Sequence, residues 1–167
     1  MRILLAIDDS DFSEAATQAV LSAVRPEGTE VLVGHVLEAP AYGAIPEMGV
    51  RYGTELTARF EEEEKQANQC VTKAAEQLRR GGLRTDTRVV EGEARTGILS
   101  LAEEWRADLI VAGSHGRKGL ERFLLGSVTE YLSRHARCSV WIVRIPPGRS
   151  EGSTRRGPER EARASKD

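Results

Sequence analysis

The sequence predicts an α/β fold, a single doubly wound domain in which a five-stranded parallel sheet carries helices on both faces. Three observations predict it. Five short apolar runs alternate with four amphipathic stretches of helical period, and that alternation builds a parallel sheet through right-handed crossovers. The run Asp108-Leu109-Ile110-Val111-Ala112 is almost continuously apolar, as a strand covered on both faces must be. The chain has 167 residues, 40% hydrophobic and 30% charged, which suits one soluble domain able to bury a core without staples. In such a fold a ligand crevice opens at the carboxyl ends of the strands, where the strand order reverses.

The elements follow in order. Ile3 to Ile7 reads as a first buried strand. A helix comes next, with Asp11 and Glu14 at the spacing of a capping box. Its apolar positions Ala15, Ala16, Ala19, Val20, Ala23 and Val24 repeat at helical period, and Pro26-Glu27-Gly28 ends it. Val31 to Val36 is the second strand, followed by a Pro- and Gly-rich loop from Ala39 to about Gly53. A long helix then carries Leu56, Phe60, Ala67, Val71, Ala74 and Leu78 on one side. Its acidic run Glu61 to Glu64 reads as a solvated face, and Gly81-Gly82 stops it. Thr85 to Val90 is a strand interrupted by Asp86 and Arg88, which suits an edge position with one wet face. Ile98, Leu99, Ala102 and Trp105 mark a third helix, and Asp108 to Ala112 the fourth strand. Leu120, Phe123, Leu124, Val128, Tyr131 and Leu132 form the stripe of a fourth helix, and Val140 to Ile145 is the last strand. The domain is expected to span residues 1–147. Residues 148–167 are rich in Arg, Glu, Ser and Gly and have too little apolar surface to offset their ordering entropy, so a flexible tail is expected there.

Charge and cysteine usage narrow the function classes. A net charge of -2 gives no global drive toward nucleic acid or anionic membrane. No apolar run approaches the length of a membrane span or a signal-peptide core. Cys70 and Cys138 share no metal spacing and no CxxC motif, which points to two reduced thiols in a cytoplasmic protein. His35, His115 and His135 have no common ligand spacing, so a metal site built from protein groups alone is not expected.

The chemistry concentrates after the fourth strand, in Gly113-Ser114-His115-Gly116-Arg117-Lys118-Gly119 and, further on, Gly126-Ser127-Val128. A phosphate needs several backbone N–H groups aimed at one spot, and glycines let the backbone approach. A helix N-terminus adds a favourable dipole. Arg117 and Lys118 bring cationic heads, and the Ser127 hydroxyl can donate to a terminal phosphate. The Walker A pattern GxxxxGK[ST] and the dinucleotide pattern GxGxxG are both absent, which argues against those two classes.

The spacing Gly113-x-x-Gly116-x(9)-Gly126-Ser127 resembles the G-2x-G-9x-G-[S/T] signature of ATP-binding universal stress proteins. The likeness extends to Ala107 to Val111, to Leu120, Arg122 and Leu124 to Val128, to Cys138-x-Val140, and to the opening Ile3 to Asp8 with Ser10. The resemblance implies strand order 3-2-1-4-5 and bound ATP, with Mg²⁺. It assigns Asp8 to the adenosine portion, Ala6 and Ile7 to the base and ribose pocket, and Val36 to adenine. Ala112, Gly113 and Gly116 would wrap ribose and phosphates; Gly126, Ser127 and Val128 would hold the distal phosphates. It also implies a homodimer through the last strand, Val140 to Val143, an apolar edge that needs covering. Two positions depart from the family pattern. Ser139 stands where proline is common, freeing a backbone N–H, and Trp141 is bulky enough to alter the dimer contact.

Catalytic readings are weaker. Asp8 and Asp9 point to opposite sides in an extended conformation and make a poor carboxylate pair, although one can assist Mg²⁺. His115 reads as a loop-supporting or solvent-facing residue rather than an acid or base. Ser127 has no visible base to make it a nucleophile. The expected function is therefore nucleotide-dependent regulation in a stress response, ATP biasing two states of the protein. A slow ATPase and a partner-binding module with a vestigial site are the alternatives.

Overall fold

A computed structural model describes residues 1–38, 51–116 and 125–145, without the side chains of 51–56. The order is β1 (Arg2–Ala6), α1 (Asp11–Ala23), β2 (Glu30–Leu37), α2 (Arg51–Arg80), β3 (Arg84–Glu91), α3 (Ala94–Trp105), β4 (Leu109–Gly113), α4 (Ser127–His135) and β5 (Ser139–Val143). The five strands form one parallel sheet in the order β3-β2-β1-β4-β5, so the expected fold and strand order stand.

Alternation along the inner strands divides the core. Ile3, Leu5, Ile7, Val31, Val33 and Val111 meet Ala16 and Val20 of α1 and Val71, Ala74, Ala75 and Leu78 of α2 on one face. Leu4, Ala6, Leu32, Ile110 and Ala112 meet Ile98, Leu101 and Ala102 of α3 and Leu132 of α4 on the other. The period-2 pleat makes a continuous apolar run serve two cores at once. β1 lies at the centre, paired to β2 on one side and to β4 on the other. The strand order reverses between β1 and β4, the place where sheets of this kind bind ligands. β3 is the expected edge strand, but Asp86, Thr87 and Arg88 are exposed in succession, so its middle is wet on both faces rather than one.

The structure alters several local expectations. The cap of α1 is Ser10, whose hydroxyl accepts from the Ser13 N–H, one residue before the expected Asp11 box. α2 already begins at Arg51, inside the stretch read as loop, and residues 39–50 lie outside the described residues. The Ser139 N–H, expected to be free, donates to the Asp108 carbonyl at 3.3 Å and so belongs to the β4–β5 ladder. Trp141 and Val143 pack on the α1/α2 core and Val140 on the α3/α4 core, which gives the bulky tryptophan a packing role within the protomer. The expected tail and the Leu120, Phe123 and Leu124 part of the fourth helical stripe lie outside the described residues.

Candidate functional site

The ends of β1 and β4 are neighbours in the sheet, with Ala6 in register with Ala112. Both alanines are buried and pack on the α3/α4 side; Ile7, one residue on, turns to the α1/α2 side. The chain leaves β1 under tight control. The Ile7 N–H donates to the Gly34 carbonyl, and the buried His35 donates from Nδ1 to the Ile7 carbonyl, each at 2.9 Å. His35 and Cys70 had no role in the sequence reading. Cys70 Sγ reaches the Asp8 carbonyl at 3.5 Å from α2, so both residues set the strand end from behind.

Asp8 organises the turn into α1. Its Oδ1 accepts from the Ser10 hydroxyl at 2.5 Å and from the Ser13 hydroxyl at 2.6 Å, while its N–H donates to Ser13 Oγ at 2.8 Å. Two hydroxyl donors on one oxygen fix the carboxylate plane and leave Oδ2 turned toward the glycine loop. There Gly116 lies so close that a Cβ on it would sit 2.7 Å from Asp8 Oδ2. Asp9 is exposed, so the two acids do not form a pair. No cluster of three or more His, Cys, Asp or Glu side chains suited to a metal occurs among the described residues.

Neither Gly113 nor Gly116 adopts a left-handed backbone. Their glycine identity serves close approach, here to Phe12 and Asp8 of the protein itself. A Cβ on Gly113 would lie 2.6 Å from Phe12 Cβ and 2.8 Å from the Phe12 carbonyl carbon and oxygen. Gly113 thus lets the first turn of α1 settle against the end of β4. The loop is then bound to the start of α4: the Gly126 N–H donates to the Ser114 carbonyl at 2.9 Å, and Thr129 Oγ1 donates to the same oxygen at 3.2 Å. The Ser114 N–H is held by the Val143 carbonyl at 2.7 Å. Gly126 is the N-cap of α4 and makes no side-chain cap hydrogen bond, so the N-cap residue leaves the first N–H groups, at the positive end of the helix dipole, without a side-chain acceptor.

The structure therefore brings together Ala6, Ile7, Asp8, Ala112, Gly113, Gly116 and Gly126. Ser127 is exposed at the start of α4, and Val128 is half-buried with its side chain on the α3/α4 core, leaving only its backbone for a ligand. Val36 is half-buried on that same face and packs on Gly97 of α3, where a Cβ would meet both Val36 methyls at 3.0 Å. Arg117 and Lys118 lie outside the described residues. Phe12, Ser13, Ser114 and Thr129 also build the site. The sequence signal for them was faint: hydroxyl residues spaced after a strand, and one aromatic at the start of a helix.

The universal stress protein family model matches residues 1–144. A universal stress protein of Methanocaldococcus jannaschii is 34% identical over 146 residues, covering 87% of this chain and 82% of that protein. Universal stress protein UspA from Lactobacillus plantarum superposes with a TM-score of 0.74 at 23% identity, covering 86% of this chain and 97% of that one. The universal stress protein from Archaeoglobus fulgidus, solved in complex with dAMP, superposes with a TM-score of 0.61 at 22% identity, covering 85% of this chain and 96% of that one. By the family match and by identity with its relatives, this chain belongs to the universal stress protein family.

Proposed function

We propose that the chain binds an adenine nucleotide, ATP with Mg²⁺, in the crevice between the ends of β1 and β4, and acts as a nucleotide-dependent regulatory protein of the stress response. One observation carries the reading: the Asp8 carboxylate, the Gly116 backbone and the N-terminus of α4 converge at the point where strand order reverses. A carboxylate accepts ribose or amine hydrogens; a helix start without a side-chain cap favours phosphate. In this reading Ala6, Ile7, Asp8 and Val36 hold the adenosine end. Ala112, Gly113 and Gly116 hold ribose and phosphate, and Gly126, Ser127 and Val128 hold the distal phosphates. The dAMP in the Archaeoglobus protein is of the same ligand class.

The residues fit ATP better than they fit chemistry on it. Ser127 has no base within the described contacts, and both hydroxyls on Asp8 spend their hydrogens on its Oδ1, so hydrolysis is slow at most. The two cysteines carry no disulfide, which suits a reducing cytoplasm. Among the described residues β5 ends the sheet with one edge unpaired, and pairing through Val140 to Val143 across a two-fold axis would cover it. The test is extraction of nucleotide from freshly purified protein, followed by ATP titration against thermal unfolding. Adenine nucleotide in the extract and a rise in melting temperature with ATP and Mg²⁺ are expected. Neither appearing would sink the proposal.

A further inference from the structure

The signature has two halves, the loop Gly113 to Gly116 and the start of α4 at Gly126, and they must keep a fixed spacing to serve one phosphate chain. The loop half is anchored to the sheet and to α1. The Ser114 N–H donates to the Val143 carbonyl at the end of β5 at 2.7 Å, and Gly113 lies against Phe12. Ser114 Oγ meets His115 Nδ1 at 3.1 Å, and that ring rests on Phe12 with centroids 5.1 Å apart, so His115 supports the loop. Among the described residues, two hydrogen bonds join the α4 half to the loop, and both end on the Ser114 carbonyl oxygen. One comes from the Gly126 N–H at 2.9 Å, the other from Thr129 Oγ1 at 3.2 Å.

Thr129 supplies the side-chain part of that junction. It is 4% exposed, so a ligand does not reach its hydroxyl, and any effect on binding passes through the groups it holds. The hydroxyl has one hydrogen and two acceptors in reach, the Ser114 carbonyl and the Gly126 carbonyl at 2.9 Å. A bond to Gly126 alone would be a local feature of a helix start. The reach to Ser114, 15 residues back, ties the helix to the loop. Both carbonyls also have a backbone donor: the Gly126 N–H on Ser114, and the Glu130 N–H on Gly126 at 2.9 Å. Removing the hydroxyl therefore strands neither carbonyl.

We propose that Thr129 is a positioning residue for phosphate binding: its hydroxyl docks the start of α4 on the Ser114 carbonyl and so presets the spacing between the glycine loop and the helix N-terminus. The inference rests on the nucleotide reading above and adds to it a residue outside the glycine signature. A preset cradle loses less freedom when the ligand arrives. The gain falls on the phosphates, because the adenosine end is assigned to the ends of β1 and β2 and not to the α4 junction.

The experiment compares native protein with Thr129→Val, which keeps the shape of the side chain without the hydroxyl, and Thr129→Ser, which keeps the hydroxyl. Affinities for ATP and adenosine are measured by calorimetry, and exchange of the Gly126 amide hydrogen is followed by NMR. Thr129→Val should bind ATP about fivefold more weakly, equivalent to ~1 kcal/mol, with adenosine unchanged, and its Gly126 amide should exchange faster than in native protein. Thr129→Ser should restore most of the ATP affinity and the slower exchange. In native protein, ATP should slow Gly126 exchange further and adenosine should not, a readout that needs no variant. Thr129→Val that binds ATP as tightly as native protein overturns this inference and leaves the nucleotide reading standing. So does an equal loss for adenosine and ATP, a Thr129→Ser variant as weak as Thr129→Val, or native Gly126 exchange that ATP leaves unmoved. Native protein that binds neither ligand overturns both.

Discussion

Gly113 and Gly116 share a signature, yet the structure gives them different tasks. Gly113 faces the backbone of Phe12. Gly113→Ala should therefore destabilise the ligand-free protein by about 1–3 kcal/mol through overpacking, measured by urea unfolding. Loss of nucleotide binding in that variant would then report on α1 as much as on phosphate. Gly116 faces only the Asp8 carboxylate, a side-chain end that can shift. Gly116→Ala should cost less stability than Gly113→Ala, because the carboxylate can shift while keeping its serine partners, and still weaken ATP binding, because the shift moves Oδ2. An unchanged ATP affinity in Gly116→Ala would count against Asp8 as a nucleotide contact. At the far pole of the sheet, burial pushes the Cys138 thiol pKa up.

Helix starts decide how well the site is held. The α1 cap, Ser10, also donates to Asp8, so the same hydroxyl serves the helix and the carboxylate. Ser10→Ala should cost about 1 kcal/mol of stability from the lost cap, read by thermal or chemical unfolding. α3 begins on an acid instead. Glu93 accepts from the Thr96 N–H at 3.0 Å and pairs with Arg95 at 2.5 Å. The Arg95 hydrogen bond and then the Thr96 N–H lower its carboxyl pKa to about 2. A folded pKa below the unfolded one means that the stabilisation is full above the usual carboxylate range and fades as pH falls toward about 2. The stability difference between native and Glu93→Gln should accordingly be constant near neutrality and shrink below about pH 4.5. A difference independent of pH down to about 2 would show that the carboxylate charge contributes nothing to the cap.

At the scale of the molecule, two equilibria should report on function. Saturating ATP at about 100 times its dissociation constant should stabilise the fold by ~2.7 kcal/mol, seen as a shift in melting temperature. Assembly should depend on β5. Trp141 and Val143 are committed to one core and Val140 to the other, whereas Ile142 is half-buried and packs on neither cluster. Ile142→Lys should leave the protomer folded and shift sedimentation from dimer to monomer. A native protein that sediments as a monomer would remove β5 as the proposed interface.

Strand–helix alternation was legible in the residues because hydrophobic period reflects burial directly, and it placed all five strands within a residue or two of where they lie. The edge position of β3 and the covered faces of β4 were legible for the same reason. The glycine spacing marked the loop that meets Phe12, Asp8 and the start of α4. Local pattern could not say what each glycine approaches, since Phe12 and Asp8 are brought to Gly113 and Gly116 only by folding α1 over the sheet. Nor could it assign the Ser139 N–H to the ladder, move the α1 cap to Ser10, or show that Val36 lies on the α3 face. Those are contacts between segments distant in the chain, or choices among adjacent residues of similar propensity. The sequence by itself determined the α/β class and the alternation of strands and helices, because these depend on which residues must leave water. Only the tertiary structure decided which atoms meet, because hydrogen bonds and close approaches depend on distances that no period encodes.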